Sequence, residues 1–206
     1  MWSSEVTNMI ITGIWETLYM TLVSTLVGYV IGLPMGIILT VSDKDGIKPN
    51  AVLYKILDVI ANIVRSVPFI ILLVLLIPFT RLVVGKSYGS TATIVPLVIA
   101  AAPYIARMVE SSLKEVDAGV IEAARSMGAS NFTIITKVML VEARTSLLVG
   151  ATITLGTILG YSAMSGAVGG DPLWIHQMAD RYYDRHSYIV DYLIPDLPDR
   201  WNETGR

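Results

Sequence analysis

Three long stretches of the chain, residues 17–41, 87–106 and 145–170, contain no charged residue. A membrane-spanning helix needs about 20 mostly apolar residues, because the hydrocarbon core is about 30 Å thick and a helix rises about 1.5 Å per residue. A fourth apolar stretch, residues 66–80, is short between Arg65 and Arg81. Its helix is therefore expected to begin upstream near Val59 and to carry Arg65 into the membrane interface. The pattern predicts an all-α, polytopic transmembrane helix bundle with four visible spans.

The polar connections set the orientation. Residues 42–57 carry Lys44, Lys48 and Lys55, residues 81–86 carry Arg81 and Lys86, and residues 107–144 carry Arg107, Lys114, Arg125, Lys137 and Arg144. This excess of basic residues in the first and third connections places both in the cytoplasm by the positive-inside rule. The N-terminus is then outside, as is whatever follows the fourth span. Glu5 is the only charged side chain before Glu16, so no basic leader precedes the first span, which is expected to stay in the mature protein.

Composition agrees with a membrane protein. Of 206 residues 53% are hydrophobic and 16% charged, and the mean hydropathy of +0.62 is too high for a soluble domain of this size. The absence of cysteine excludes disulfides and thiolate metal sites. A net charge of -2 gives no sign of a nucleic-acid partner. His176 and His186 are isolated from any third ligand, so no metal site is expected, and the spans hold no constellation suited to catalysis.

Several side chains within the spans bear on packing or passage. Gly28, Gly32 and Gly36 form one row on the first helix, and Gly156 and Gly160 repeat the spacing on the fourth. Such rows let helix backbones approach closely in lipid, either inside the chain or at a subunit interface. Arg65 reads as a snorkelling anchor or as a gating residue. Pro68, Pro78, Pro96 and Pro103 are tolerable in spans where neighbours satisfy the freed backbone groups. Arg107 and Glu110, three residues apart, are expected to form a solvated pair at the cytoplasmic end of the third helix. Tyr161 and Met164 lie among small residues near the outer end of the fourth helix, where either packing or narrowing of a translocation path would suit them.

The third connection has its own internal order. Asp117 is placed to cap a short helix through Val120, Ile121, Ala123 and Ala124, and Gly128 to end it in a left-handed conformation. Ser130 is placed to cap a second helix with Ile134, Ile135, Val138 and Met139 as its apolar stripe. The small residues at the bend leave a low surface that a cytosolic partner can cover closely.

Glu122-Ala123-Ala124, three residues, Gly128, nine residues, then Val138-Met139-Leu140 is similar to the EAA loop of ABC importer permeases. Val138 stands where that family has isoleucine, and Val141 where it has proline. Losing the proline removes a helix break. GIWETLYMTLVSTLVGYVIGLPMGIIL (13–39), NIVRSVPFIILLVLLIPFTRLVVG (62–85), IVPLVIAAAPYIARMVE (94–110) and LGYSAMSGAVGG (159–170) resemble the permease of methionine-type ABC importers. The resemblance implies a permease domain over residues 10–170, with its coupling loop near 107–144. It also implies a homodimer in the bacterial inner membrane, two ATP-binding subunits inside and a methionine-binding lipoprotein outside. ATP and magnesium would sit on the partner subunits. This chain lacks a phosphate-binding loop, because no Gly-Lys-Ser/Thr follows Gly169-Gly170.

Residues 171–206 depart from that pattern. The longest uncharged run there, residues 172–179, is far below the roughly 17 residues needed to span, so the fifth helix implied by the resemblance is missing. A shifted reading frame or replaced terminus is one reading of this polar tail, and a genuine exterior tail is the other. The alternatives to methionine import are a permease for another amino acid or small solute, and a membrane scaffold that docks the ATP-binding subunit without transporting.

Overall fold

The computed structural model describes residues 4–86 and 89–167, all helical or in turns between helices. Helix α1 runs Ser4–Ser42, α2 Ala51–Ser66, α3 Phe69–Leu75, α4 Ile77–Val84, α5 Ser90–Lys114 and α6 Ala118–Ser126. Two short pieces, α7 at Asn131–Thr133 and α8 at Leu140–Glu142, flank a π-helical turn at Ile134–Met139, and α9 covers Arg144–Ala167. The tail, the two histidines and the Gly169-Gly170 pair lie outside the described residues.

Among the described residues three helices are long and apolar enough to cross a membrane: Thr7–Ser42, Ser90–Lys114 and Arg144–Ser165. The second expected span differs from its prediction. It begins at Ala51, where the Asn50 side chain accepts a hydrogen bond from the Leu53 amide at 3.1 Å, not near Val59. It is also not one helix: α2 and α3 meet at 101°. Pro68 has no N–H to offer and disfavours helical geometry in the residue before it, and Val67 is accordingly extended. Pro34, Pro96 and Pro103 lie inside α1 and α5, which continue through them. Helix α5 also runs past the apolar stretch, so Arg107 and Lys114, expected in a connection, are helical.

The centre of the bundle is the contact between α1 and α5. A methyl group added at Gly32 would lie 2.6 Å from the Ala102 carbonyl oxygen, and one at Gly36 would lie 2.6 Å from that of Ala106. At Gly28 it would meet the Ile105 side chain at 2.9 Å. The glycine row of α1 is therefore occupied by α5 within the same chain. Gly156 and Gly160 differ, with nothing within 4 Å of an added methyl. Leu39, Leu97, Ile105, Val109, Leu113 and Ile158 are almost wholly buried, and Phe69 stacks on Tyr161 with ring centroids 4.6 Å apart, joining α3 to α9. Two buried threonine hydroxyls bond to their own helices, Thr25 to the Thr21 carbonyl at 2.7 Å and Thr154 to the Gly150 carbonyl at 2.8 Å, which satisfies them without water. Among the described residues the buried hydroxyls of Thr21 and Ser24 have no such partner.

Gly32→Ala is expected to destabilise the detergent-solubilised chain by about 1–3 kcal/mol through overpacking. Gly156→Ala, facing open space, should leave stability unchanged or raise it by up to about 1 kcal/mol through helix propensity. Equal thermal shifts for the two variants would contradict the packing described.

Candidate functional site

The hairpin between α5 and α9 is built by its caps. Asp117 Oδ1 accepts from the Gly119 amide at 2.7 Å and opens α6. The helix closes as the Gly128 amide donates to the Arg125 carbonyl at 2.9 Å and the Ala129 amide to the Ala124 carbonyl at 3.1 Å. Gly128 has φ +80, a left-handed geometry that glycine adopts without a Cβ penalty. Ser130 Oγ then accepts from the Thr133 amide at 3.2 Å.

The second arm departs from the single regular helix that the apolar stripe suggests. It widens into the π turn at Ile134–Met139, which brings Ile134 and Met139, five residues apart, to the same buried side. With valine rather than proline at 141, the backbone runs on towards α9, the Ala143 amide donating to the Met139 carbonyl at 2.9 Å. Glu122, Ala123 and Gly128 are exposed, Leu140 is half-buried and Ala124 is buried. Sequence reasoning missed Met127 and Phe132, which project on either side of Gly128 with 82% and 76% exposure. A large apolar residue next to a helix-ending glycine was the available signal.

The turn between α1 and α2 braces α6. Arg125 donates to the Ile47 carbonyl at 3.3 Å. Gly46 sits so close to the end of α1 that a Cβ would lie 2.4 Å from the Val41 carbonyl oxygen. A cavity of about 760 Å³ separates this turn, the end of α5 and α6, lined by Asp43, Lys114, Ile121, Glu122, Arg125 and Met139 among others.

Beside the cavity lies a charged cluster. Arg107 bonds to Glu110 at 2.7 Å, to Asn62 at 3.0 Å and to Asp58. Lys114 bridges Glu110 at 2.8 Å and Asp43 at 2.7 Å, and the Tyr54 hydroxyl donates to Glu110 at 3.3 Å. The Glu110 side chain is only 6% exposed, so the pair expected to be solvated is instead covered by α2. Tyr54, Asp58 and Asn62, four residues apart, make a polar stripe on one helix face that lies against α5. That stripe was the missed signal. The hydrogen bond from Lys114 holds the Asp43 carboxyl below the usual aspartate range.

The residues assigned to a path are dispersed. Met164 is 44% exposed, Tyr161 is half-buried in its stack with Phe69, and Arg65 is exposed, its guanidinium 6.0 Å from the centre of the Tyr104 ring. Among the described residues, no hydrogen bond, ion pair or ring contact joins these three to one another.

A family model for the binding-protein-dependent transport system inner membrane component matches residues 28–182. The chain belongs to this family. A "D-methionine transport system permease protein MetI" of Salmonella typhimurium is 55% identical over 158 residues, covering 77% of this chain and 73% of that protein. The Escherichia coli K12 protein of the same name matches equally, at 55% over 158 residues. A solved structure described as showing inward facing conformations of the MetNI methionine ABC transporter matches with a TM-score of 0.81 and 54% identity, over 82% of this chain and 79% of that one. This inner membrane component therefore shares both the sequence and the helical arrangement of methionine permeases.

Removing Arg107 would leave the buried Glu110 carboxylate and Asp58 short of their shared cation, so Arg107→Met should cost about 3–5 kcal/mol. Lys44→Met, which breaks a fully solvated pair with Asp45, should change stability by less than about 1 kcal/mol; denaturation in detergent compares them. Because the Asp43 pKa is lowered by folding, its contribution is present above the ordinary aspartate range and lost as pH falls through the lowered value. Asp43→Asn should flatten that part of the acid dependence of the melting temperature.

Proposed function

We propose that the chain is the permease subunit of an ATP-driven importer that carries methionine across the bacterial cytoplasmic membrane. The observation that carries this reading is the 55% identity with D-methionine permeases over 77% of the chain. In this reading a second copy completes the membrane part, two ATP-binding subunits bind ATP and magnesium inside, and an extracytoplasmic lipoprotein delivers methionine. Lipid surrounds the apolar outer faces of α1 and α9. The basic residues of the hairpin and of the α1–α2 turn favour the cytoplasmic side for both, which puts the N-terminus outside.

The hairpin supplies the coupling. Met127 and Phe132 give a partner two apolar knobs beside the small residues Ala123 and Gly128, a shape that suits insertion into a cleft. The Arg125 bond to Ile47 ties α6 to the α1–α2 turn, and the charged cluster ties that turn and α2 to α5. Movement of α6 by a closing ATP-binding subunit then passes to the whole α1–α5 pair as a rigid body.

Reconstituted with its ATP-binding subunits and binding protein, the permease should take up methionine, and excess unlabelled methionine should compete. Uptake insensitive to methionine would point to another solute, and ATP hydrolysis without uptake would point to a docking scaffold. Gly128→Leu forces a branched side chain into a left-handed geometry that costs about 1–2 kcal/mol. It should weaken binding of the ATP-binding subunit, and intact assembly and uptake in this variant would refute the coupling role.

A further inference from the structure

The cavity beside α6 carries chemistry that the coupling role leaves unused. Its lining takes Thr40 from the last turn of α1 and Leu113 from the last turn of α5, both at the ends of apolar spans. The cavity, about 760 Å³ in volume, therefore lies in the headgroup layer that flanks the hydrocarbon core. Ala123, Met127 and Gly128, offered to the ATP-binding subunit, are not part of this lining.

Most of the charges around it are already satisfied. Lys114 is held by Asp43 at 2.7 Å and by Glu110 at 2.8 Å, and Asp45 stands in solvent, 3.8 Å from Lys44. Glu122 and Arg125 remain. They are three residues apart on α6 and both line the cavity, a spacing at which opposite charges ordinarily pair. Here they do not. Arg125 turns across to the Ile47 carbonyl through Nη2, and among the described residues Glu122 has neither ion pair nor hydrogen bond. Ile121 and Met139 supply an apolar wall beside them. A carboxylate and a guanidinium held apart beside an apolar wall are complementary to a dipolar ligand.

We propose that this cavity binds a zwitterion, with its ammonium on Glu122, its anionic oxygens on Arg125 and its apolar part along Ile121 and Met139. A primary ammonium offers three donors to a carboxylate, and the guanidinium fork matches the paired oxygens of a phosphate or carboxylate. Two sources carry this chemistry: the phosphoethanolamine headgroup of a membrane lipid, and a free apolar amino acid in the aqueous phase. The site goes beyond the import reading and stands without it, because binding is measured in the absence of transport.

The full chain is purified in detergent, stripped of lipid and titrated with soluble probes, and both its melting temperature and probe binding by equilibrium dialysis are followed. Dihexanoyl phosphatidylethanolamine is compared with the phosphatidylcholine and phosphatidylglycerol of the same chain length. The choline keeps the positive charge without N–H donors, and the glycerol headgroup has no cation. Methionine is compared with N-acetylmethionine, which likewise has no cation. A zwitterion with a free ammonium should bind at least about tenfold more tightly than its counterparts and raise the melting temperature by several degrees. Preference for the ethanolamine lipid identifies the membrane as the source, and preference for methionine identifies the aqueous phase. Glu122→Gln should erase the preference for the free ammonium, and Arg125→Met should weaken binding at least about tenfold.

The assignment is overturned if no probe binds, or if each zwitterion binds no better than its counterparts. It is overturned equally if Glu122→Gln and Arg125→Met, folded by their melting without ligand, bind as the unsubstituted chain does, which would put the ligand elsewhere on the molecule. Where Arg125→Met fails to fold, Arg125→Lys, which keeps the charge and loses the fork, decides by the same measure.

Discussion

The close backbone contact between α1 and α5 is the constraint on which the other contacts depend. In lipid no hydrophobic force draws helices together, and association relies on packing and polar contacts. Gly28, Gly32 and Gly36 let α1 approach until its surface meets the carbonyls of Ala102 and Ala106. This fixes the end of α1 beside the end of α5. Asp43, the first residue after α1, thereby comes within 2.7 Å of Lys114. A bulkier row would move the α1–α2 turn away from α6 and open the charged cluster.

The two arms of the hairpin are held differently. The α6 arm is held from the side by the Arg125 bond to the Ile47 carbonyl, and the cluster around Glu110 ties the ends of α1 and α5 and the α2 face to one another. The other arm reaches α9 through the π turn, where Ile134 and Met139 are buried and supply apolar packing in place of ionic contacts. An ionic cluster holds geometry because a buried charge that loses its partner is costly, whereas apolar packing tolerates sliding. In the import reading, force entering at the bend would reach α1 and α5 through a polar link and α9 through apolar packing.

Local features of the sequence were legible because their causes are local. The caps at Asp117 and Ser130 and the left-handed Gly128 follow from residue type and spacing within one turn of helix. Three spans followed from uninterrupted apolar runs. The depth of the break at Pro68 was not legible, since proline in a membrane helix gives anything from a slight kink to a right-angle turn depending on what packs against it. The burial of Arg107 and Glu110 depends on Tyr54, Asp58 and Asn62, some fifty positions away in the chain, and no local period reports that contact. The π turn likewise arises from the need to bury both Ile134 and Met139, a tertiary demand that overrides the regular helical spacing of the stripe.

Helix α1 has 39 residues and is therefore about 58 Å long, nearly twice the thickness of the hydrocarbon core. A rod of that length meets a bilayer at whatever tilt matches its apolar portion to the local thickness. Because α5 is clamped along α1, a change of tilt alters the height at which α5 presents the hairpin. Lipid chain length thus enters the placement of the hairpin directly, and in the import reading the surrounding membrane acts as a mechanical part of the machine.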